Sequence, residues 1–576
     1  MARATLAPSP LIYWAGILII GLPIFYRLLS REASPGERLA LVCVLAMALY
    51  GVKLAQEPFL FTFPDEFTHS YNANQIELHH HLFHPNSLLV VSPYYPGLEG
   101  ATSALMMLTG MSSYVAGIIV VGAARLTLVI ALFLLFGRIS GSARIAGIGV
   151  AIYAGNPNFM FFGAQYSYGS LALPLLVVLL MALAERDAFP RSWSWAWSVP
   201  IVLGTAALVV THHLTSYALT GILLTLALAH VLVHRRVEWR NPLPFAILAG
   251  GLSAIWLLVV ASATLSYLEA PLARAIRETW NTITGDTGTR DLFQSGGSSS
   301  GTRVPVSTPV VAQIFAFASV VILLIGLPLG LWQVWRRHRT KAFALMFSLA
   351  AIGFFGVLGL RFAPAAWEAG NRAAEYLFLG LAFVVALAIV SVYSLLEGRR
   401  VRLGRGLLTA CLGVLLTGGA ISGWPWDQHL AQPITATSDG RRFESEPLGM
   451  ARWARGHFPG QKFAATEIDA RLLIDPGGAR VYSGYTLEVQ DILDATKLEP
   501  WHTADLRRNK TRYVVADRRR TSRDLIRGYF LSLLPPAGKR YRPLPRGTTA
   551  KFEQIPTAAR MFDSGNIVVF DIEAGR

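Results

Sequence analysis

Long apolar runs recur along this chain, separated by short charged loops, and that pattern leaves few folds open to it. A hydrocarbon core about 30 Å thick is crossed by a helix of roughly 17–25 apolar residues. Twelve segments approach that character, at about 11–29, 38–56, 113–136, 143–158, 168–184, 197–211, 214–233, 243–266, 309–334, 341–361, 373–396 and 403–423. The first has no charged n-region beyond Arg3 and no small-residue cleavage site, so it reads as a retained anchor. Of the 576 residues 53% are apolar and only 15% charged, with a mean hydropathy of +0.44. A soluble domain of this length needs more polar surface than that to cover itself.

The formal charge of +16 would suit a nucleic-acid binder, but its placement does not. The basic clusters are Arg27/Arg31/Arg38, Arg138/Arg144, Arg186/Arg191, Arg235/Arg236/Arg240, Arg336/Arg337/Arg339/Lys341 and Arg399/Arg400/Arg402/Arg405. They fall in every second loop, as the positive-inside rule requires, so the expected partner is the lipid bilayer and not nucleic acid. Setting these loops in the cytoplasm puts 57–112, 159–167, the turn Thr211–Leu214, 267–308, 362–372 and the C-terminus outside. The expectation is a multi-pass protein of the cell membrane with an extracytoplasmic C-terminal domain. Cys43 and Cys411 both fall inside spans and offer neither a disulfide framework nor zinc spacing.

The chain divides into a membrane part, 1–423, and a polar part, 424–576. In the latter, KFAATE, ARVYSG, RYVVADRR and NIVVFDIE read as strands, while MARWARGHF and TSRDLIRGYFLSLL have helical spacing. Strands alternating with helices imply a soluble α/β domain with a largely parallel sheet. It carries no G-x-G-x-x-G and no P-loop. The 267–308 loop ends in DLFQSGGSSSGTR, a Gly/Ser-rich stretch suited to a lid or to flexible filler.

Residues able to do chemistry collect in the outward loops. Asp65 and Glu66, beside Phe63, Pro64 and Phe67, form an acidic pair at a membrane surface that could supply a general base. The same residues also suit the first turn of a helix. Tyr94–Tyr95–Pro96 precedes an apolar stretch too short to span, which suggests an interfacial helix. His212 and His213, between two spans, could hold a phosphate, donate a hydrogen bond or bind a metal, or simply make a polar turn. In RFAPAAWEAGNRAAEYLF, Arg372 and, less directly, Arg361 are candidates to bind a phosphate. Arg372 also has Glu368 and Glu375 at helix-pair spacing. In HHHLFH, with His79, His80, His81 and His84, the pair His80/His84 would share a helical face; no H-E-x-x-H motif is present.

An N-terminal anchor, a long outward loop opening on an acidic pair, and the segment YYPGLEGATSAL together resemble the GT-C superfamily of multi-spanning glycosyltransferases. TRYVVADRR and the final SGNIVVFDI are similar to soluble domains appended to its members. The architectural resemblance covers the whole membrane part. At motif level it rests on Asp65–Glu66 and the Tyr95–Pro96 region. It implies a bundle of about twelve transmembrane helices and a polyprenyl-phosphate sugar donor. The acceptor would be a cell-envelope glycan or a protein, and Asp65 would be the catalytic base or a metal ligand with Glu66 as its neighbour. A divalent metal, Mg or Mn, is the cofactor it would allow. The chain departs from relatives in carrying one extra span before the acidic loop and no acid in NPNFMFFGAQYSYGS, where many relatives place a second one. Gln165 and Tyr166 stand there, and with Tyr95 they are the candidate substrate contacts. The expected activity is an inverting hexosyl or pentosyl transfer. Its rivals are a lipid-linked-sugar transporter, which should show internal repeats and mid-span charges, and an O-antigen-ligase-like enzyme, which would rely on late Arg and His residues.

Overall fold

Each of the twelve expected spans is a helix. They are α1 Pro10–Leu29, α2 Pro35–Leu54, then α5 Ser113–Ser140, α6 Ala143–Tyr153, α7 Tyr168–Arg186, α8 Ser194–Val209, α9 His213–His234, α10 Leu243–Ile255, α12 Val310–Gln333, α13 Ala342–Leu360, α14 Trp367–Ser394 and α15 Arg399–Ser422. Among the described residues nine helices are long and apolar enough to cross a membrane. α10 reaches spanning length by running on through a π-helical turn, Trp256–Val260. Of the other three, α2 carries Glu37, Arg38 and Lys53, and α6 and α8 are short. The computed structural model describes residues 10–284, 310–423 and 445–573, except 56–57, 62, 189, 191, 193, 237, 363–365, 484–485, 523–529, 533–537 and 541.

Between α2 and α5 lie two helices that do not span, α3 Pro64–His79 and α4 Gly97–Thr109. The latter follows Tyr94–Pro96, as the sequence suggested. The stretch 267–308, read as a loop, is helical at its start: α11 covers Ala263–Thr284, and DLFQSGGSSSGTR lies outside the described residues. Local signals set the helix ends. Ser34, Ser112 and Ser142 accept hydrogen bonds from the N–H groups of Glu37, Val115 and Ile145, and Gly141 ends α5 at φ +73°.

Small residues let the helix backbones touch. A Cβ on Gly419 of α15 would sit 1.8 Å from the Gly155 carbonyl oxygen, and one on Gly380 of α14 would sit 2.3 Å from the Phe347 carbonyl. Such close approach lets helices associate where lipid tails are as apolar as leucine. Gly419→Ala should therefore force α15 away from residue 155 and cost about 1–3 kcal/mol. Thermal unfolding of the detergent-solubilised protein measures it. Gly356→Ala, with nothing within 4 Å of its added methyl, is the control and should leave the melting point unchanged or higher.

Arg125, inside α5, is buried. It donates from Nε to the Ala46 carbonyl at 3.0 Å and from Nη1 to the Phe159 carbonyl at 2.7 Å, with Cζ 3.9 Å from the Phe159 ring centroid. A charge at membrane depth thus ties α2 and α5 to the connection leading into α7.

Beyond the bundle, α16 Ser445–His457 is followed by β1 Lys462–Ala465, α17 Glu467–Ile474, β2 Arg480–Ser483, α18 Leu487–Asp494, α19 Pro500–Arg508, β3 Tyr513–Asp517, β4 Phe530–Ser532, β5 Gly538–Arg540, β6 Ala559–Asp563 and β7 Ile567–Asp571. The main sheet has the order β2-β1-β3-β7-β6. It is mixed rather than largely parallel. β1 pairs in parallel with β2 and β3, but β7 runs antiparallel to β3 and, through the tight hairpin at Ser564–Asn566, to β6 as well. TSRDLIRGYFLSLL is not one helix either, since its Phe530–Ser532 pairs with β5.

Alternation along the strands fills two cores. Phe463, Ala465, Tyr513, Val515 and Val569 face α16 and α17, while Ala464, Val514, Val568 and Phe570 face α18 and α19. Tyr71 of α3 enters the first core, and Ala451 and Leu472 join Tyr50, Phe61 and Phe67 of the membrane part. The C-terminal domain is therefore packed on the helix that carries Asp65.

At that contact Asn74 Nδ2 donates to Asp475 Oδ1 at 2.8 Å. Burial pushes the Asp475 carboxyl up to about 6, against the opposing pull of hydrogen bonds from Ser70 and Asn74 and of the Arg455 charge. An acid whose folded pKa exceeds its unfolded value binds more protons when folded, so stability falls as pH rises from about 4 to about 6 and is flat above. The expected loss across that window is on the order of 3 kcal/mol. Asp469 is raised in the same direction by burial and by the Asp517 charge, and adds to the same slope. Asp475→Asn should remove only its own share of the slope in unfolding curves measured across pH.

Candidate active site

Adjacent positions on a helix point about 100° apart, so the acidic pair at the start of α3 separates. Asp65 is exposed and Glu66 is completely buried. Glu66 accepts from Lys53 Nζ at 2.6 Å and Tyr166 N at 2.8 Å through Oε1, and from Phe63 N at 2.8 Å through Oε2. Lys53 is itself only 2% exposed. Glu66 thus locks the end of α2, the start of α3 and the 159–167 connection together, and Asp65, about 100° around the helix from it, is left exposed.

One turn beyond Asp65, on the same face, comes His69. Its Nδ1 lies 2.6 Å from Glu99 Oε1, both side chains being buried, and Asn72 Nδ2 donates to the same oxygen at 3.4 Å. The His69 ring meets the Tyr168 ring edge-on at 4.6 Å, and Tyr168 stacks on His212 at 4.4 Å. His212 Nδ1 is 2.7 Å from Thr215 Oγ1, which is 2.8 Å from the Tyr376 hydroxyl. Tyr376 follows Arg372 by one turn of α14. This chain of contacts links α3, α4, α7, α9 and α14 at one end of the bundle.

Arg372 is partly exposed, with Cζ 5.4 Å from the Phe162 ring centroid, and lies within electrostatic reach of Tyr168, His212, His213 and Glu375. Its helix is fixed to the same connection as Tyr166: Asn371 Nδ2 donates to Asn158 Oδ1, and Asn158 Nδ2 to the Asn371 carbonyl, both at 3.0 Å. Tyr168 feels both Asp65 and Arg372.

The other candidates divide. His213 packs on Tyr95 with rings 5.0 Å apart, close to where α4 crosses the turn before α9. A Cβ on Gly97 would meet Thr211 Oγ1 at 2.1 Å there, so this crossing requires glycine. Burial raises the Tyr95 phenol above its ordinary value and keeps it a neutral donor. Tyr166 is fully buried and stacks on Phe61 at 5.1 Å, and Gln165 is buried beside it, so both lie behind the site. Arg361 donates to the Ser422 carbonyl at 2.6 Å and so caps the C-terminal end of α15. His80 and His84 do not share a helical face, because α3 ends with His80 at φ +56°. Instead His79 stacks on His84 at 4.7 Å with His81 beside them.

No family model matches the sequence, and no curated protein does. Solved structures match. The apo oligosaccharyltransferase of Archaeoglobus fulgidus aligns with 93% of this chain and 80% of its own at 12% identity and a TM-score of 0.60. ArnT from Cupriavidus metallidurans bound to undecaprenyl phosphate aligns with 93% of this chain and 98% of its own, at 14% identity and a TM-score of 0.52. Both have the GT-C fold, and so does this chain. A third, the A. fulgidus enzyme AglB in complex with an inhibitory peptide and a dolichol-phosphate, aligns with 84% of this chain and 69% of its own at 12% identity and a TM-score of 0.55.

Within this GT-C bundle a hard cation such as Mg or Mn would need several oxygen ligands. Glu66 is held by Lys53 and two backbone N–H groups, Glu99 meets His69 through Oε1 and leaves only Oε2 without a partner, and among the described residues no three His, Cys, Asp or Glu ligand atoms gather around Asp65. The described residues around Asp65 therefore assemble no oxygen-rich set, and they do not fit such an ion.

Sequence reasoning missed Lys53, His69, Glu99, Tyr168 and Tyr376. Two signals were available. Lys53 is a cation at the non-basic end of a span, which calls for a partner, and His69 is one helical turn from Asp65.

Proposed function

We propose that this protein is a membrane glycosyltransferase that moves a sugar from a polyprenyl-phosphate donor to an acceptor hydroxyl on the extracytoplasmic side. The observation that carries this reading is the chain of side-chain contacts from His69 through Tyr168, His212 and Thr215 to Tyr376, which joins the helical turn after the exposed Asp65 to the helical turn after Arg372. Asp65 takes the proton of the acceptor hydroxyl as its oxygen bonds to the anomeric carbon. The bond from that carbon to the phosphate oxygen breaks, its electron pair leaves with the polyprenyl phosphate, and the anomeric centre inverts. Arg372 meets the charge growing on the departing phosphate, with His213 and the neutral Tyr95 phenol beside it. His69, braced by Glu99, and His212, held by Thr215, position the aromatic wall of Tyr168 against which the sugar ring would lie. The acceptor class is an envelope glycan or a protein, positioned by the C-terminal domain that packs on α3.

Arg372→Ala tests the phosphate role. Binding of undecaprenyl phosphate to the purified protein should weaken about 10- to 100-fold, the worth of a charge-assisted hydrogen bond. Thermal stability should change little, because Arg372 is partly exposed. Equal affinity in the variant and the wild type would remove Arg372 from the mechanism.

A further inference from the structure

We propose a transition-metal site formed by His230, His234 and Glu238, at the end of α9 away from the candidate active site. His230 and His234 stand one turn apart on the same helical face, with rings 4.3 Å apart. Glu238 follows in the loop just past the helix, where Arg235 at φ +56° turns the chain back. One ligand atom from each of the three residues lies within 4.8 Å of the other two. His230 is 4% exposed, and its Nδ1 has no hydrogen-bond partner among the described residues. A buried imidazole nitrogen left in this way costs free energy unless something occupies it.

The loop is already folded over the helix end. Asn241 Nδ2 donates to the Ala227 carbonyl at 3.2 Å, and Asn241 N donates to the Glu238 carbonyl at 2.9 Å. A metal would clip this connection between α9 and α10. Two imidazoles and one carboxylate are the donor set of a borderline ion such as Zn2+, with water completing a tetrahedron, and are a poor set for Mg2+ or Ca2+. Arg236 pairs with Glu238 at 2.8 Å, and Arg186 and Arg240 are close by, so a dication binds here more weakly than at a site free of cations. His213, at the other end of α9, is 17 residues from His230, or about 26 Å along the axis. The ion would therefore act from the far end of the bundle, holding in place the helix that presents His213 and Thr215.

The test uses full-length, tag-free protein stripped with chelator in detergent, with His79, His81 and His84 replaced by alanine to silence the other histidine group. Calorimetric titration with Zn2+ should give one equivalent per chain. Either His234→Ala, at an exposed position, or Glu238→Gln should weaken it at least tenfold. Co2+ loaded into the same protein should show the visible d–d bands of a tetrahedral site, lost in His234→Ala. Zn2+ should raise the melting temperature of the parent and not that of the variant. The site is refuted by Zn2+ binding that survives His234→Ala unchanged, by none at all in the parent protein, or by an octahedral Co2+ spectrum.

Discussion

Asp65→Asn should lower glycosyl transfer by about two to four orders of magnitude while leaving the protein folded. The substitution keeps the shape and much of the hydrogen bonding of the side chain and removes only its capacity to take a proton. Asp65 is exposed and stands in the first turn of α3, so its contribution to folding is limited to the helix dipole, about 0.3–1 kcal/mol. Activity and melting temperature measured side by side therefore separate the two roles. A base gives a large kinetic loss at nearly constant stability. A helix-start residue gives the small stability loss with transfer retained.

Its neighbour should behave in the opposite way. Glu66→Gln leaves Lys53 charged and buried without its counter-ion and weakens the acceptors of two backbone N–H groups, so it should cost about 3–5 kcal/mol of stability. Lys53→Met should be comparably damaging. Combining Lys53→Met with Glu66→Gln removes both charges and should recover a large part of the loss, since a buried ion pair is often replaceable by neutral side chains of similar volume. Thermal unfolding of the two single variants and the double variant forms a double-mutant cycle. Additive losses, with no recovery, would mean that the pair does not act as a unit.

The contrast between these two residues marks where the sequence stopped being informative. Twelve helices could be placed because span length and loop charge are local properties, set by the bilayer and independent of the rest of the fold. The acidic pair could be found, but which carboxylate faces outward depends on where Lys53 and Tyr166 arrive, and that is a tertiary fact. His69 and Glu99 are 30 residues apart and Thr215 and Tyr376 are 161 apart, so neither pairing has a sequence signature. Arg361 and Arg372 looked alike as charges near one loop, and only packing distinguishes a helix cap from a guanidinium near Tyr168. In the C-terminal domain β1, β2, β3 and β7 were legible as short apolar runs. β6, whose ARMFD carries two charges and little alternation, was not, and that omission is why the sheet read as largely parallel.

The most direct measurement is transfer itself. Purified protein in lipid vesicles is given a panel of polyprenyl-phosphate sugars labelled in the sugar, together with envelope glycan and peptide acceptors. Label should move from one donor into a new glycosidic bond on an acceptor, releasing polyprenyl phosphate, and the Asp65→Asn protein should leave the same donor intact. Wild-type protein that carries the lipid-linked sugar across the bilayer unchanged, making no glycosidic bond with any acceptor, would contradict a transferase and identify a transporter built on the GT-C fold.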